Sequence, residues 1–164
     1  MAEHQLILSL GGNLGNKALI FSETSNLIEN KIGNVVKASP VYETPPWGFE
    51  TENRFWNQVL VVETSLDPIE VLQKIRVIEK HFGRERKAGI YLSRKMDIDI
   101  LFYDNEIIQT EKLTIPHPLM EKRRFVLVPL CDILPDLVHP ENGKLLREML
   151  AECSDTSEVK RLDL

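Results

Sequence analysis

The stretch Arg94-Lys-Met-Asp-Ile-Asp-Ile-Leu-Phe-Tyr103 is followed by the turn-forming pair Asp104-Asn105. Aliphatic, β-branched and aromatic residues bounded by such a turn predict a β-strand. Side chains alternate across a strand, so Met96, Ile98, Ile100 and Phe102 are expected on one core-facing side. Asp97 and Asp99 share the other, their Cα atoms roughly 7 Å apart at ~3.3 Å per residue. Two carboxylates that close repel unless a cation lies between them or one is protonated. Mg²⁺ suits the gap, since it takes one or two carboxylates and completes its octahedron with water and substrate phosphates. The alternative is two solvated carboxylates on an open sheet face.

Just upstream, Gly83–Lys95 carries Arg84, Arg86, Lys87, Arg94 and Lys95 against the single acid Glu85, in a chain of formal net charge −5. Cations beside a metal-binding pair suit a polyanion, whose charge Mg²⁺ and arginine share. Taken alone, the loop would be a solvated basic face.

A length of 164 residues, with 43% hydrophobic and 27% charged residues, fits one globular domain with a core. No apolar run approaches the ~18 residues of a membrane span. Met-Ala-Glu-His-Gln lacks the features of a signal peptide. Cys131 and Cys153 are too few for a disulfide framework or zinc site. These features predict a cytoplasmic protein, and the net acidity argues against a nucleic-acid partner.

Gln5–Leu10 reads as a short strand, and Gly11-Gly-Asn-Leu-Gly-Asn16 as a turn whose glycines permit unusual backbone angles. It has neither the ending of a P-loop nor the spacing of a dinucleotide fingerprint. Residues 17–32 predict an amphipathic helix, with Ile20, Phe21, Leu27, Ile28 and Ile32 inward and Gly33 as its stop. Residues 34–43 predict a second strand, at an edge or bulged at Pro40. In residues 44–54, Pro45, Pro46 and Gly48 bar regular structure. There Trp47 and Phe49 either pin the loop or close over a ligand. Residues 55–63 predict a third strand with the polar Asn57 inside an apolar run, and a buried amide needs partners.

Asp67-Pro-Ile-Glu70 is a helix start, with a capping residue, a first-turn proline and an acid three residues on. The helix is expected to reach about His81, with Ile69, Leu72, Ile75, Ile78 and Phe82 as its stripe. Arg76 and Glu79 read as a surface ion pair. Glu106–Ile108 predicts a short strand, and His117 is held between Pro116 and Pro118. Residues 121–134 predict a buried helix starting near Pro129, residues 143–152 a last short helix, and the tail after Ser154 a frayed end. The order β-α-β-β-α-β predicts an α+β, ferredoxin-like fold. Its sheet would be mostly antiparallel, with helices packed on both faces.

Four segments stand in an order that resembles the 6-hydroxymethyl-7,8-dihydropterin pyrophosphokinase family. They are Gly11-Gly-Asn-Leu, Tyr42-Glu-Thr-Pro-Pro-Trp-Gly, Arg94-Lys-Met-Asp-Ile-Asp-Ile-Leu and Leu113-Thr-Ile-Pro-His-Pro, with Arg123-Arg-Phe125-Val-Leu following. The resemblance spans essentially the whole chain as a single domain, 1–164. It implies Mg²⁺-dependent transfer of pyrophosphate from ATP to the hydroxymethyl group of the dihydropterin in folate biosynthesis, with release of AMP. By the same resemblance Asp97 and Asp99 hold two Mg²⁺ ions, and Arg84 and Arg94 neutralise phosphate charge. Arg86 and Lys87 join the nucleotide site and help close the loop. Arg76, Glu79, Lys112, Leu113, Thr114, His117 and Arg123 complete that site. Thr44, Pro46, Trp47, Gly48, Phe55, Asn57 and Phe125 hold the pterin, with Phe55 and Phe125 as the two sides of a sandwich.

The sequence departs from the family at Leu92, where a small residue is usual. It departs again at Tyr91, where an indole is common, and at Phe55, where a tyrosine can occur. Lys112 replaces an arginine and would act as a point charge. Two rivals share these residues. One is another Mg²⁺-dependent nucleotidyl- or phosphotransferase, and the other is a non-catalytic ferredoxin-like binding module. The expected partners are small molecules, with no nucleic acid or membrane, and the expected state is a monomer.

Overall fold

Period-two alternation of apolar residues builds three long strands, His4–Gly12 (β1), Phe55–Thr64 (β4) and Asp97–Tyr103 (β5). The computed structural model describes residues 3–45, 54–83 and 94–164. Between β1 and β4 lie the helix Lys17–Lys31 (α1) and the short strands Asn34–Ala38 (β2) and Tyr42–Thr44 (β3). Pro68–His81 (α2) precedes β5. After it come Ile108–Gln109 (β6), Thr114–Ile115 (β7), Arg124–Ile133 (α3), Leu146–Glu152 (α4) and Lys160–Arg161 (β8). The main sheet runs β5-β1-β4-β3-β8, with β2 also on β4. Every pairing is antiparallel, which is the expected ferredoxin-like α+β order.

The start signal of α2 acts as predicted. Asp67 accepts the Glu70 N–H at 2.8 Å, and the Glu70 carboxylate accepts the Asp67 N–H at 3.1 Å, closing a capping box at α2. Asn16 caps α1 through the Leu19 N–H. The stripe of α2 differs in its first turn: Val71 is buried and Ile69 is exposed.

Alternation sorts the strands onto two cores. Leu6, Leu8, Leu10, Leu60, Val62, Met96, Ile98 and Ile100 pack under α1 and α2. Ile7, Val59, Val61 and Leu101 pack under α3 and α4 with Val126, Leu127, Leu130, Leu146 and Met149. Each such aliphatic side chain is worth ~1.5–3 kcal/mol when fully buried. Helices therefore cover both faces, as expected.

Phe102 does not share a face with Met96, Ile98 and Ile100. The register slips by one residue between Leu8↔Ile100 and Ile7↔Phe102. This bulge turns both Leu101 and Phe102 toward the α3/α4 core and Tyr103 toward the other. Pro40 splits the predicted second strand into β2 and β3, each paired to β4 with a register offset. Ser39 spans the gap: its N–H donates to Val59 O, and its hydroxyl accepts the Val59 N–H.

Four further expectations are corrected. Helix α3 starts at Arg124, so Pro129 falls in its second turn and forgoes one backbone hydrogen bond. The short strand after β5 is Ile108–Gln109, paired with Thr114–Ile115. Gly11 and Gly12 lie within β1 rather than in a turn, and the left-handed glycine is Gly15. The tail expected to fray returns to the sheet as β8, on the outer edge of β3. Among the described residues, no helix is long and apolar enough to cross a membrane.

Candidate active site

The site lies where the α3/α4 face of the sheet runs out of apolar residues. Toward one end, Val61 and Val59 give way to Asn57 and Phe55 on β4, and Ile7 gives way to Ser9 and Gly11 on β1. On β5 the same face carries Asp97 and Asp99. The register sets Asp97, Gly11, Asn57 and Tyr42 in one row across four strands, with Asp99 beside Ser9 in the next row. At ~4.8 Å between strands, Asp97 and Asn57 stand about 10 Å apart. Gly11 between them carries no side chain, so the row is open at its middle. A Cβ there would lie 3.3 Å from Asn57 Oδ1.

At the amide end, Asn57 is buried and donates Nδ2–H to Thr44 Oγ1 at 2.9 Å. That bond orients the amide, fixing where its oxygen points. Tyr42 donates its hydroxyl to Asp132 of α3. Burial, reinforced by Asp132, pushes the Tyr42 phenol up to about 12. The bond ties β3 to α3.

At the carboxylate end, Arg94 Nη1 lies 3.7 Å from Asp97 Oδ2. Both side chains are mostly covered, at 12% and 17% exposure. Asn13, itself only 2% exposed, holds the arginine from behind. Its Oδ1 accepts the Arg94 N–H at 2.8 Å, while its own N–H donates to Arg94 O at 2.8 Å. Gly12 permits this approach, because a Cβ there would lie 2.2 Å from Lys95 O. Reading the glycine segment as a turn leaves out Asn13 and Gly12, which the structure places against Arg94 and Lys95. The available signal was glycine in a strand, which marks close approach of another backbone.

Two arginines lie over aromatic rings. The Arg94 guanidinium is 5.3 Å from the Phe55 ring centre, and that of Arg123 is 5.7 Å from the Phe125 ring centre. Arg123 is buried and immediately precedes α3.

The outer edge of β5 gathers another group of the expected residues. Glu79 is 2% exposed rather than a surface ion-pair member. Its Oε2 accepts the Ile98 N–H at 2.8 Å, between the two aspartates, while Arg76 lies 3.9 Å from Oε1. The His117 N–H donates to Leu101 O at 3.1 Å, and His117 Nδ1 accepts the Leu119 N–H. In the neutral ring the proton therefore sits on Nε2. Leu113 is buried, Thr114 lies in β7 and Lys112 is exposed. Arg84, Arg86, Lys87, Pro46, Trp47 and Gly48, with Tyr91 and Leu92, lie outside the described residues.

The chemistry of this donor set fits Mg²⁺. Among the described residues no three His, Cys, Asp or Glu side chains are grouped to enclose an ion. Asp97 and Asp99 are a pair of hard oxygen donors on one strand face. Such a pair suits an ion that draws its remaining ligands from water and phosphate.

The fold and site define an α+β protein whose sheet face sets paired carboxylates and an arginine at one end of a row and an oriented amide at the other. A profile of the 7,8-dihydro-6-hydroxymethylpterin-pyrophosphokinase (HPPK) family matches residues 7–135, and the chain belongs to that family. It is 41% identical over 145 residues to the 2-amino-4-hydroxy-6-hydroxymethyldihydropteridine pyrophosphokinase of Aquifex aeolicus (strain VF5), covering 88% of this chain and 89% of the relative. It is 39% identical over 137 residues to the protein of the same name from Porphyromonas gingivalis, covering 82% and 92%. Among solved structures, wild-type Plasmodium falciparum HPPK-DHPS with pteroate aligns with a TM-score of 0.76 at 19% identity, over 92% of this chain. The chain covers 42% of that longer chain, and at such identity the likeness concerns the fold alone.

Proposed function

We propose that this protein transfers the β,γ-pyrophosphoryl unit of ATP to the hydroxymethyl oxygen of 6-hydroxymethyl-7,8-dihydropterin, giving the pterin diphosphate and AMP in folate biosynthesis. Family membership over residues 7–135 carries the reading. In the step, the hydroxymethyl oxygen bonds to the β-phosphorus, and the bond from that phosphorus to the α,β-bridging oxygen breaks. AMP leaves with that oxygen, and the hydroxyl proton passes to solvent.

Each part of the row then has a task. Asp97 and Asp99 would hold Mg²⁺, two ions in the fullest reading, which supplies positive charge against the triphosphate. Arg94, fixed by Asn13, places a further cation beside that pair, and Arg84 would join it. The Asn57 amide, oriented by Thr44, reads the polar edge of the pterin, and Phe55 and Phe125 supply ring faces. Pro46, Trp47 and Gly48 would complete that slot. Glu79, Arg76, Lys112, Leu113, Thr114, His117 and Arg123, with Arg86 and Lys87, would hold the nucleotide along the β5 edge. Catalysis is positioning and charge neutralisation without a dedicated base. The chain works as one monomeric, cytoplasmic domain on small molecules.

The test is chromatography of nucleotide products with ATP, Mg²⁺ and the dihydropterin, beside controls lacking the pterin or the metal. AMP that forms only with all three is the expected result. ADP in its place would mean phosphoryl transfer and another enzyme; no turnover with the full mixture would overturn the acceptor.

A further inference from the structure

Residues after α4 fall outside the stretch matched by the family profile, yet they fold back onto two walls of the site. Asp155 Oδ2 accepts the Arg124 N–H at 3.1 Å, at the start of α3. Asp155 Oδ1 is held by the Ser157 N–H at 3.0 Å and the Ser157 hydroxyl at 2.5 Å. Arg124 Nη1 donates in return to Ser157 O at 3.2 Å. Burial alone would raise the Asp155 carboxyl, but the Ser157 and Arg124 donors outweigh it and the net shift is downward. Arg123, at the N-cap position of α3, makes no side-chain cap. Asp155 thus supplies from a distant segment what a Ser or Asp at the N-cap supplies locally.

Further on, Lys160 and Arg161 pair with Glu43 and Tyr42, and the Leu162 N–H donates to Val41 O at 2.9 Å. Arg54, beside the start of β4, lies 3.9 Å from Glu158. None of residues 154–162 belongs to either apolar core. Their contacts are polar and reach the first turn of α3, which carries Phe125, β3, which carries Thr44, and Arg54 beside β4.

We infer that residues 154–162 are a positioning strap for the pterin slot, with Asp155 fixing the α3 wall and β8 fixing the β3 wall. The inference rests on the reading of Phe125, Thr44 and Asn57 as that slot. Because the strap buries little apolar surface, its loss moves ligand affinity more than global stability.

The experiment titrates 6-hydroxymethylpterin, a fluorescent oxidised form of the substrate, into the full chain with Mg²⁺ and a non-hydrolysable ATP analogue. It is paired with kcat and KM for the dihydropterin. Asp155→Ala is expected to raise the pterin Kd and KM about five- to tenfold, the worth of one capping bond, with kcat at saturation nearly unchanged. Asp155→Asn keeps an acceptor and restores most of the affinity. Leu162→Pro, which removes the donor to Val41, weakens pterin binding in the same direction. Parental Kd values in both Asp155→Ala and Leu162→Pro overturn the strap, as does an Asp155→Asn loss equal to that of alanine. If Asp155→Ala does not fold, Leu162→Pro decides alone. Phe125→Ala separates the two levels: unchanged pterin binding there defeats the slot itself. Weakened binding there with intact strap variants defeats only the strap.

Discussion

The two faces of the sheet use the same strands for opposite ends. Under α1 and α2, β1 is apolar from Leu6 to Leu10, and β5 with the preceding Met96 is apolar as far as Ile100. Under α3 and α4 the same strands are apolar at one end only, Ile7 on β1 and Leu101 and Phe102 on β5, and carry Ser9, Gly11, Asp97 and Asp99 at the other. Neighbouring residues at the start of β5 therefore alternate between buried aliphatic side chains and partly exposed carboxylates. One face gives the strand a fixed frame, and the other lets it carry charge in fixed positions.

The largest effect should come from the polar face. Asp97→Ala and Asp99→Ala are each expected to lower Mg²⁺-dependent AMP formation by roughly 10²–10³-fold or more, with thermal midpoints close to the parent. Full activity in either would break the contrast between faces. One residue away, Ile98→Ala should do the reverse and cost ~2–5 kcal/mol of stability in a denaturant melt, as a large-to-small change in a core.

Smaller effects sharpen the boundary. Gly12→Ala would push a Cβ toward Lys95 O, and backbone must shift to admit it. It should cost ~1–3 kcal/mol and reduce activity by displacing Arg94, whereas Gly11→Ala meets only the Asn57 side chain and should cost less. Equal stability losses in the two would sink this account. At the strand edge, Glu79→Gln keeps an acceptor for the Ile98 N–H. It should retain most stability where Glu79→Ala loses ~1–3 kcal/mol.

The smallest effect is a pH dependence. Buried His139 accepts the Glu141 and Asn142 N–H groups on Nδ1. Burial lowers its affinity for a proton, partly offset by Glu141 and Glu121. The unfolded chain then takes up that proton first as pH falls below about 6.5. His139 contributes its full stability above that pH and loses it toward the lower folded value. Thermal midpoints from pH 7.5 to 5 should fall more steeply in the parent than in His139→Gln.

Much of this was legible in the chain because it follows from local rules. The capping box at Asp67 and Glu70 and the paired faces of β5 up to Ile100 depend on a few adjacent residues, and so does the disturbance at Pro40, expected as an edge or bulge where the structure has a break. What escaped depends on partners far away in sequence. The bulge that turns Phe102 is a matter of register against β1. Glu79 looked like a surface acid because the amide it serves belongs to another element. The Arg124 N–H at the start of α3 is held by a carboxylate beyond α4, a partner that the residues around Pro129 do not reveal. Asn13 serves a backbone group 81 positions away, and no spacing rule exposes it.

Pro40 has a consequence beyond the interruption of one strand. An unpaired strand edge is a template on which another molecule can add its own strand. Here β8 occupies the edge of β3, and Glu79 and His117 take backbone groups along the edge of β5. The end strand β8 is only two residues long, and Pro40 keeps β2 to five. Edges this short are poor templates for sheet-to-sheet association, so light scattering of Pro40→Val is expected to rise with concentration where the parent's stays flat.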